Sequence, residues 1–166
     1  MAKLEDIEIR DTPGPGDAGR ILYLHGLLYA GENGYGLPFE AYVAEGLAEF
    51  LRRYDACRDR VWICEHGGRT VGTLALMHRD GNLAQLRYFL VDPGYRGIGL
   101  GGKLMRSFLG RLRECEYAGS YLWTTSEQET AIRLYTRYGF RLAEEKRSTT
   151  LGRSVLEQRY VLSLER

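Results

Sequence analysis

The sequence predicts one mixed α/β domain, with a central sheet of six to seven strands flanked by about four helices. Apolar residues recur at helical spacing in four segments, and at strand spacing or as short apolar runs in seven others. One long apolar run passes through a cluster of glycines directly into a helical pattern. The 166 residues provide for one sizeable core and leave no room for two. No internal repeat, low-complexity tract or linker interrupts the chain, so the predicted domain is 1–166.

Ile7 and Ile9 alternate with charges and form a short first strand ending at Asp11. Thr12 to Gly16 is a loop by its Pro/Gly content, and Asp17 is placed to cap the helix that follows. In that helix Ala18, Ile21, Leu22, His25, Leu28 and Tyr29 share one spacing. A glycine-rich break from Gly31 to Gly36 separates it from a second helix, whose apolar stripe is Phe39, Val43, Leu47, Phe50, Leu51 and Tyr54. Val61 to Cys64 and Val71 to Met77 form an antiparallel pair around His66-Gly67-Gly68. After a turn at Asp80-Gly81-Asn82, Leu83 to Val91 is nearly continuously apolar, which predicts a strand buried on both faces. A third helix carries Leu104, Phe108 and Leu112, with Met105 and Leu109 beside them. Tyr121 to Thr125 is a short strand. Ala131, Leu134, Tyr135 and Tyr138 lie on one face of a fourth helix stopped by Gly139. Arg141 to Leu164 supplies two further strands around Gly152.

Bulk properties exclude several classes. A net charge of +1 gives no electrostatic reason to expect nucleic acid or an anionic membrane as partner. Cys57, Cys64 and Cys115 are odd in number and lack metal-ligand spacing, so reduced thiols in a cytoplasmic protein are expected and no metal site is. The N-terminal residues Met1 to Asp6 contain no apolar signal core, and no run reaches the length that spans a bilayer.

The chemistry is concentrated between Val91 and Lys103. Five glycines fall within the nine residues from Gly94 to Gly102, between a buried strand and the first turn of a helix. Free amides and the helix dipole at such a turn favour an anion, and a pyrophosphate matches well. Gly97-x-Gly99-x-x-Gly102 satisfies a dinucleotide fingerprint as a string, but it follows a late strand and has no acidic ribose partner at the required distance. A Walker loop needs Ser or Thr after Gly102-Lys103, where Leu104 stands. A glycine-rich turn without a ligand is the bland alternative, and it leaves the entropy cost of five glycines unexplained.

Read as Arg96-x-x-Gly99-x-Gly101, the segment resembles the acyl-CoA-binding motif of the GNAT superfamily of N-acetyltransferases. The Val91-Asp92-Pro93 strand exit and the downstream Ala131-x-x-Leu134-Tyr135-x-x-x-Gly139-Phe140 fit the same pattern, and the order of elements agrees over nearly the whole chain. Gly16-x-x-Gly19, His25, Leu28-Tyr29-Ala30, Tyr35-Gly36, Phe39-Glu40 and Ala84-Gln85-Leu86-Arg87 are similar to the acetyltransferase half of MarR-type regulator/GNAT fusion proteins. The resemblance implies a GNAT fold and an acetyl-CoA-dependent N-acetyltransferase whose acceptor is a primary amine on a small molecule or peptide. The amine would attack directly in a ternary complex, without a metal.

Carried over residue by residue, the resemblance implies that the amides of Gly97, Ile98, Gly99, Leu100, Gly101 and Gly102 hold the CoA pyrophosphate, with Arg96 at the first motif position. The strand edge at Phe89, Leu90 and Val91 would pair with the pantetheine arm and leave one N–H to polarise the thioester carbonyl. Tyr135 falls at the position of the general acid that protonates the departing thiolate, though its spacing equally suits a core aromatic. Gln128 stands where many relatives have a cofactor-touching Asn. Gln85 stands where several carry a basic Glu, and an amide cannot serve as that base.

The base therefore stays open between His25, Glu40, His78, a water relay and an amine that arrives neutral. His66, in a turn, is expected to be solvated. Arg87 shares a strand face with Gln85 and either meets an acceptor carboxylate or pairs with a structural acid. His25, Tyr29, Gln85 and Arg87 are the acceptor-site candidates, and Tyr23, Tyr29, Tyr35 and Tyr42, among 12 tyrosines, fall in the same region. A non-catalytic acyl-CoA-binding sensor is the alternative, suggested by Gln85 and opposed by retention of Tyr135. Homodimers occur in the superfamily, and no sequence feature sets the oligomeric state.

Overall fold

The computed structural model describes residues 1–164. In chain order the elements are β1 (Glu8–Arg10), α1 (Asp17–Asn33), α2 (Leu37–Arg52), β2 (Arg60–His66), β3 (Arg69–Arg79) and β4 (Leu83–Val91). They continue with α3 (Leu100–Glu114), β5 (Gly119–Thr125), α4 (Glu129–Arg137), β6 (Arg141–Ser148) and β7 (Val155–Ser163). The seven strands form one open sheet in the order β1-β2-β3-β4-β5-β7-β6. Every neighbouring pair is antiparallel except β4 and β5.

The central strands are apolar on both faces because both faces are covered. Along β3, Leu74 and Leu76 point to one side, and Ala75 and Met77 to the other. The first side packs against α3 through Leu100, Leu104, Met105, Phe108 and Leu112. The second packs against α2 through Phe39, Val43, Leu47 and Phe50, with Ile21 from α1. Each of the larger side chains among these contributes roughly 1.5–3 kcal/mol of transfer free energy.

Local structure departs from the sequence expectation at several places. Asp17 does not cap α1; Gly16 occupies the cap position with φ 88°, and the Asp17 carboxylate accepts from Arg10 at 2.8 and 2.9 Å and from the Gly14 amide at 2.6 Å. Burial opposes ionisation there, but Arg10 and the Gly14 N–H outweigh it and hold Asp17 below the usual carboxylate range. Gly31 lies inside α1, which ends only at Gly34. Leu51, assigned to the apolar stripe of α2, is 50% exposed because it follows Phe50 and turns off the buried face, and Tyr54, assigned to the same stripe, lies past the end of α2 with its ring 5.3 Å from Phe50.

Strands β4 and β5 are register partners only from Leu83–Gly119 to Gln85–Tyr121. From Leu86 to Val91, β4 keeps only its β3 partner, so the sheet opens along its middle. A bulge shapes the free part. Thr73 pairs with Leu90 and Ala75 with Arg87, which leaves Tyr88 and Phe89 opposite Leu74. Tyr88 takes φ 51°, and the Thr73 hydroxyl donates to its carbonyl at 2.6 Å.

At the closed end of the opening the strands are tightly apposed. A Cβ on Gly119 would lie 2.5 Å from the Leu162 carbonyl oxygen, a backbone atom that cannot move aside alone. Gly119→Ala should therefore destabilise the fold by about 1–3 kcal/mol. The check is urea unfolding: the midpoint should fall with m unchanged, and an unaltered midpoint would show that β5 and β7 separate more readily than the geometry implies.

Candidate active site

The opening between β4 and β5 leads into two connected recesses. The outer one is a cleft of about 730 Å³. Its walls are the free stretch of β4 (Phe89, Leu90, Val91), the turn and first residues of α3 (Arg96, Gly97, Gly99, Leu100, Gly101, Gly102) and the start of α4, including Gln128. Ile98 stands apart from these, packed against the core below.

The strand-to-helix turn is shaped by two left-handed glycines, Gly97 at φ 79° and Gly99 at φ 90°, with Gly99 as the residue before α3. Among the amides at this helix start, the Lys103 N–H already donates to the Gly99 carbonyl at 3.0 Å, which leaves the amides before it for a ligand. A Cβ on Gly101 would sit 3.4 Å from Leu134 and 3.5 Å from Phe89, across the floor of the cleft. Arg96 is less free than its motif position suggests: its Nε donates to the Val91 carbonyl at 3.0 Å and its guanidinium meets Glu32 at 2.8 Å. Arg133 and Arg137, one turn apart on α4, add positive charge to the cleft wall. Sequence reading missed them, although their i, i+4 spacing beyond Gln128 was the available signal.

The inner recess, about 110 Å³, lies on the α1/α2 side of the sheet. It gathers His25, Tyr29, Gln85, Arg87 and Tyr135 from α1, β4 and α4, together with Phe39, Tyr42, Tyr88 and Trp123. Tyr29 and Phe89 line both recesses. Links between the end of α1 and the β5–α4 connection span the opening: Gln128 donates to Asn33 at 3.0 Å, Tyr35 donates to Glu127 at 2.9 Å, and Arg153 reaches the Asn33 carbonyl and Glu127.

Tyr135 lines the inner recess, with its ring against Phe89, a residue that both recesses share. It is 6% exposed, its ring lies 6.0 Å from Phe89 and 6.2 Å from Phe140, and its hydroxyl bonds to no described residue. Burial, with a further push from Tyr29, moves its pKa well upward, so the phenol keeps its proton throughout the ordinary pH range. His25 is buried between Tyr29 and Tyr88, with both ring centroids at 5.9 Å. Its Nδ1–H donates to the Ile21 carbonyl at 2.8 Å, which makes Nε2 of the neutral ring an acceptor. Burial lowers its pKa to about 4 against the opposing effect of Ile21, and Arg87 lowers it further.

The Gln85 amide oxygen is taken by Arg79 at 2.8 Å, which itself pairs with Glu49. Glu40 is exposed and folds over Gly26, where a Cβ would be 2.2 Å from its carboxylate. His78 lies away from the opening, in a cluster with Tyr117 at 3.2 Å and Arg58. His66 is not simply solvated: its Nδ1 meets the Tyr95 hydroxyl at 2.9 Å. Of the four tyrosines grouped by sequence, Tyr29 and Tyr42 line the inner recess, Tyr35 is buried beside it, and Tyr23 is exposed. Cys64 is buried and its thiol pushed up to about 12, which leaves it inert. Among the described residues no group of three or more His, Cys, Asp or Glu could hold a metal, and no helix is long and apolar enough to cross a membrane.

An open seven-stranded sheet split between two parallel strands, with a glycine-lined helix start beside the split, is the α/β architecture of the acetyltransferase class. Residues 29–140 match the model of the Acetyltransferase (GNAT) family, and the chain belongs to that family. It is 34% identical over 114 residues to the mouse protein named "Probable N-acetyltransferase family 8 member 5", an alignment covering 63% of this chain and 50% of that one. The chain spans about half the length of the curated relatives it matches. Among solved structures, the GNAT-family acetyltransferase of Staphylococcus aureus Mu50 superposes with a TM-score of 0.75 at 21% identity, over 96% of this chain and 99% of that one. A GNAT-family acetyltransferase from Elizabethkingia anophelis, solved with acetyl-CoA bound, superposes at 0.64 with 15% identity, covering 96% and 99%. These likenesses establish the fold as the seven-stranded, four-helix GNAT fold.

Proposed function

We propose that the protein transfers the acetyl group of acetyl-CoA to the primary amine of a small acceptor, by direct attack in a ternary complex. The observation that carries this reading is the split between β4 and β5. It adjoins a long cleft with free helix-start amides and a small recess lined by His25 and Tyr135, and the two share Tyr29 and Phe89 in their walls.

The residues fit the cosubstrate. Amides of Gly97 to Gly102 and the side chains of Arg133 and Arg137 would meet its phosphates, and the bare Cα of Gly101 admits it to the cleft floor. The free edge of β4 at Phe89, Leu90 and Val91 would pair with its amide-bearing arm, as an added strand pairs with an open edge. Gln128, already bonded to Asn33, would contribute from α4, and Arg96 would act by holding the turn. Acetyl-CoA, when bound, supplies the activated carbonyl carbon and a thiolate leaving group.

The chain's own groups then have distinct tasks. A β4 backbone N–H stabilises the charge developing on the carbonyl oxygen. Tyr135, whose proton is retained because burial raises its pKa, donates that phenolic proton to the departing sulfur. With its pKa lowered to about 4 by burial, His25 is a poor base toward a free ammonium ion, so in this reading the amine arrives neutral. Nε2 of His25 can take the nitrogen's proton once the C–N bond has formed and that nitrogen has become strongly acidic. Gln85, held by Arg79, orients rather than ionises.

Within the family, kinship with the acetyltransferase half of MarR-type fusions belongs to this proposal and rests on Gly16-x-x-Gly19 and Ala84 to Arg87. So does a cytoplasmic setting, which three free thiols support. A sensor without turnover is the second reading, favoured by the amide at Gln85. Thiol release from acetyl-CoA against a mixed panel of amines, alongside calorimetric CoA binding, separates them. Amine-dependent release supports transfer. Binding without release by any amine favours the sensor, and no binding overturns both.

A further inference from the structure

Arg87 is a cation in the wall of the inner recess with no ionic partner among the described residues. The neighbouring acid, Glu49, is held by Arg79 and by Arg53. The Arg87 guanidinium is seated between aromatic rings, 4.9 Å from the centroid of Tyr88 and 5.5 Å from that of Tyr42. It rests on Gly46 of α2, where a Cβ would lie 2.7 Å from both terminal nitrogens and 2.4 Å from the Tyr88 hydroxyl. A glycine in the middle of a helix is unfavourable by itself, and here it makes the room in which these two donors converge. The Tyr88 hydroxyl is buried and has no hydrogen-bond partner among the described residues. Two donor groups, one of them charged, thus lie side by side against Gly46 without an acceptor, on two residues that line the recess.

We infer that this pair receives a carboxylate carried by the acceptor, so that the acceptor class is small amino acids with apolar side chains. The inference rests on the transferase reading above, with the inner recess as the acceptor side. A planar guanidinium matches a carboxylate through paired N–H donors, which suits orientation of a small ligand. The recess of about 110 Å³ admits a compact molecule, and Tyr29, Phe39, Tyr42 and Trp123 offer aromatic walls to its side chain. A polyamine, or a lysine within a basic peptide, would bring further positive charge against Arg87 and is disfavoured.

The test compares alanine, leucine, methionine and phenylalanine with their C-terminal amides, which differ in charge but hardly in shape. With the native chain, the best free acid should exceed its amide roughly 10- to 100-fold in kcat/KM. Arg87→Gln should bring that ratio close to one, and Arg87→Lys should restore part of it. Binding of N-acetyl-leucine against N-acetyl-leucinamide, measured by calorimetry with CoA present, asks the same question without turnover. If no amine is acetylated but the acid still binds better through Arg87, the transferase reading fails and the carboxylate site stands. If acids and amides are used and bound alike, or if Arg87→Gln keeps the preference, the carboxylate site is overturned whatever the turnover.

Discussion

Replacing Tyr135 with phenylalanine should reduce amine-dependent thiol release roughly 10²- to 10³-fold, the range lost with one general acid, while acetyl-CoA binds as before. The two effects separate because of how the side chain is held. The ring packs against Phe89 and Phe140, and Phe140 is fully buried. The hydroxyl bonds to nothing described, so removing it breaks no hydrogen bond and only enlarges slightly a recess that Tyr135 already lines. Stability should change by no more than about 0.5 kcal/mol. Thiol release and cosubstrate affinity, measured on the same preparation, check the prediction. Turnover within a factor of two of the native chain would return Tyr135 to the role of a core aromatic.

Lowering the pH from 6.5 to 4 should remove about 3 kcal/mol of stability through His25 alone. The folded chain holds this imidazole neutral, with its pKa lowered to about 4 by burial, whereas the unfolded chain protonates it near 6.5. Below 6.5 the unfolded state therefore binds the extra proton, and stability falls as pH drops until the folded pKa is passed. Above 6.5 the contribution is fully present. Carboxylates titrate in part of the same window, so the comparison is with His25→Gln, whose amide can still donate to the Ile21 carbonyl. Urea unfolding across this range should give a steeper loss for the native chain than for the variant. Parallel pH profiles would mean that the histidine is solvated in the fold.

How much of this was legible in the sequence depends on the range of the interaction. The double-sided burial of β4 follows from its nearly continuous apolar run, and Leu104, Phe108 and Leu112 appear where helical spacing puts them. The placement of Gln85 and Arg87 on one recess wall follows from strand alternation. The turn at Gly97 and Gly99 was legible because only glycine adopts those angles readily. Errors came where a side chain's partner lies outside its own element. Asp17 looks like a cap until Arg10 and Gly14 take its carboxylate. His66 looks solvated until Tyr95 arrives from 29 residues away.

Sequence alone determined the periodicities, the glycine turn and the presence of Tyr135 in a recognisable pattern, because these depend on neighbours a few residues apart. Tertiary structure decided three further things: that β4 loses its β5 partner after Gln85, that Gly46 gives Arg87 and Tyr88 a seat, and that Gln128 meets Asn33 across 95 residues. Register and packing against a facing element are properties of pairs of segments, and such a segment pattern is compatible with several pairings. Which charge stays unpartnered and which histidine stays neutral emerge only when the whole sheet has chosen its neighbours.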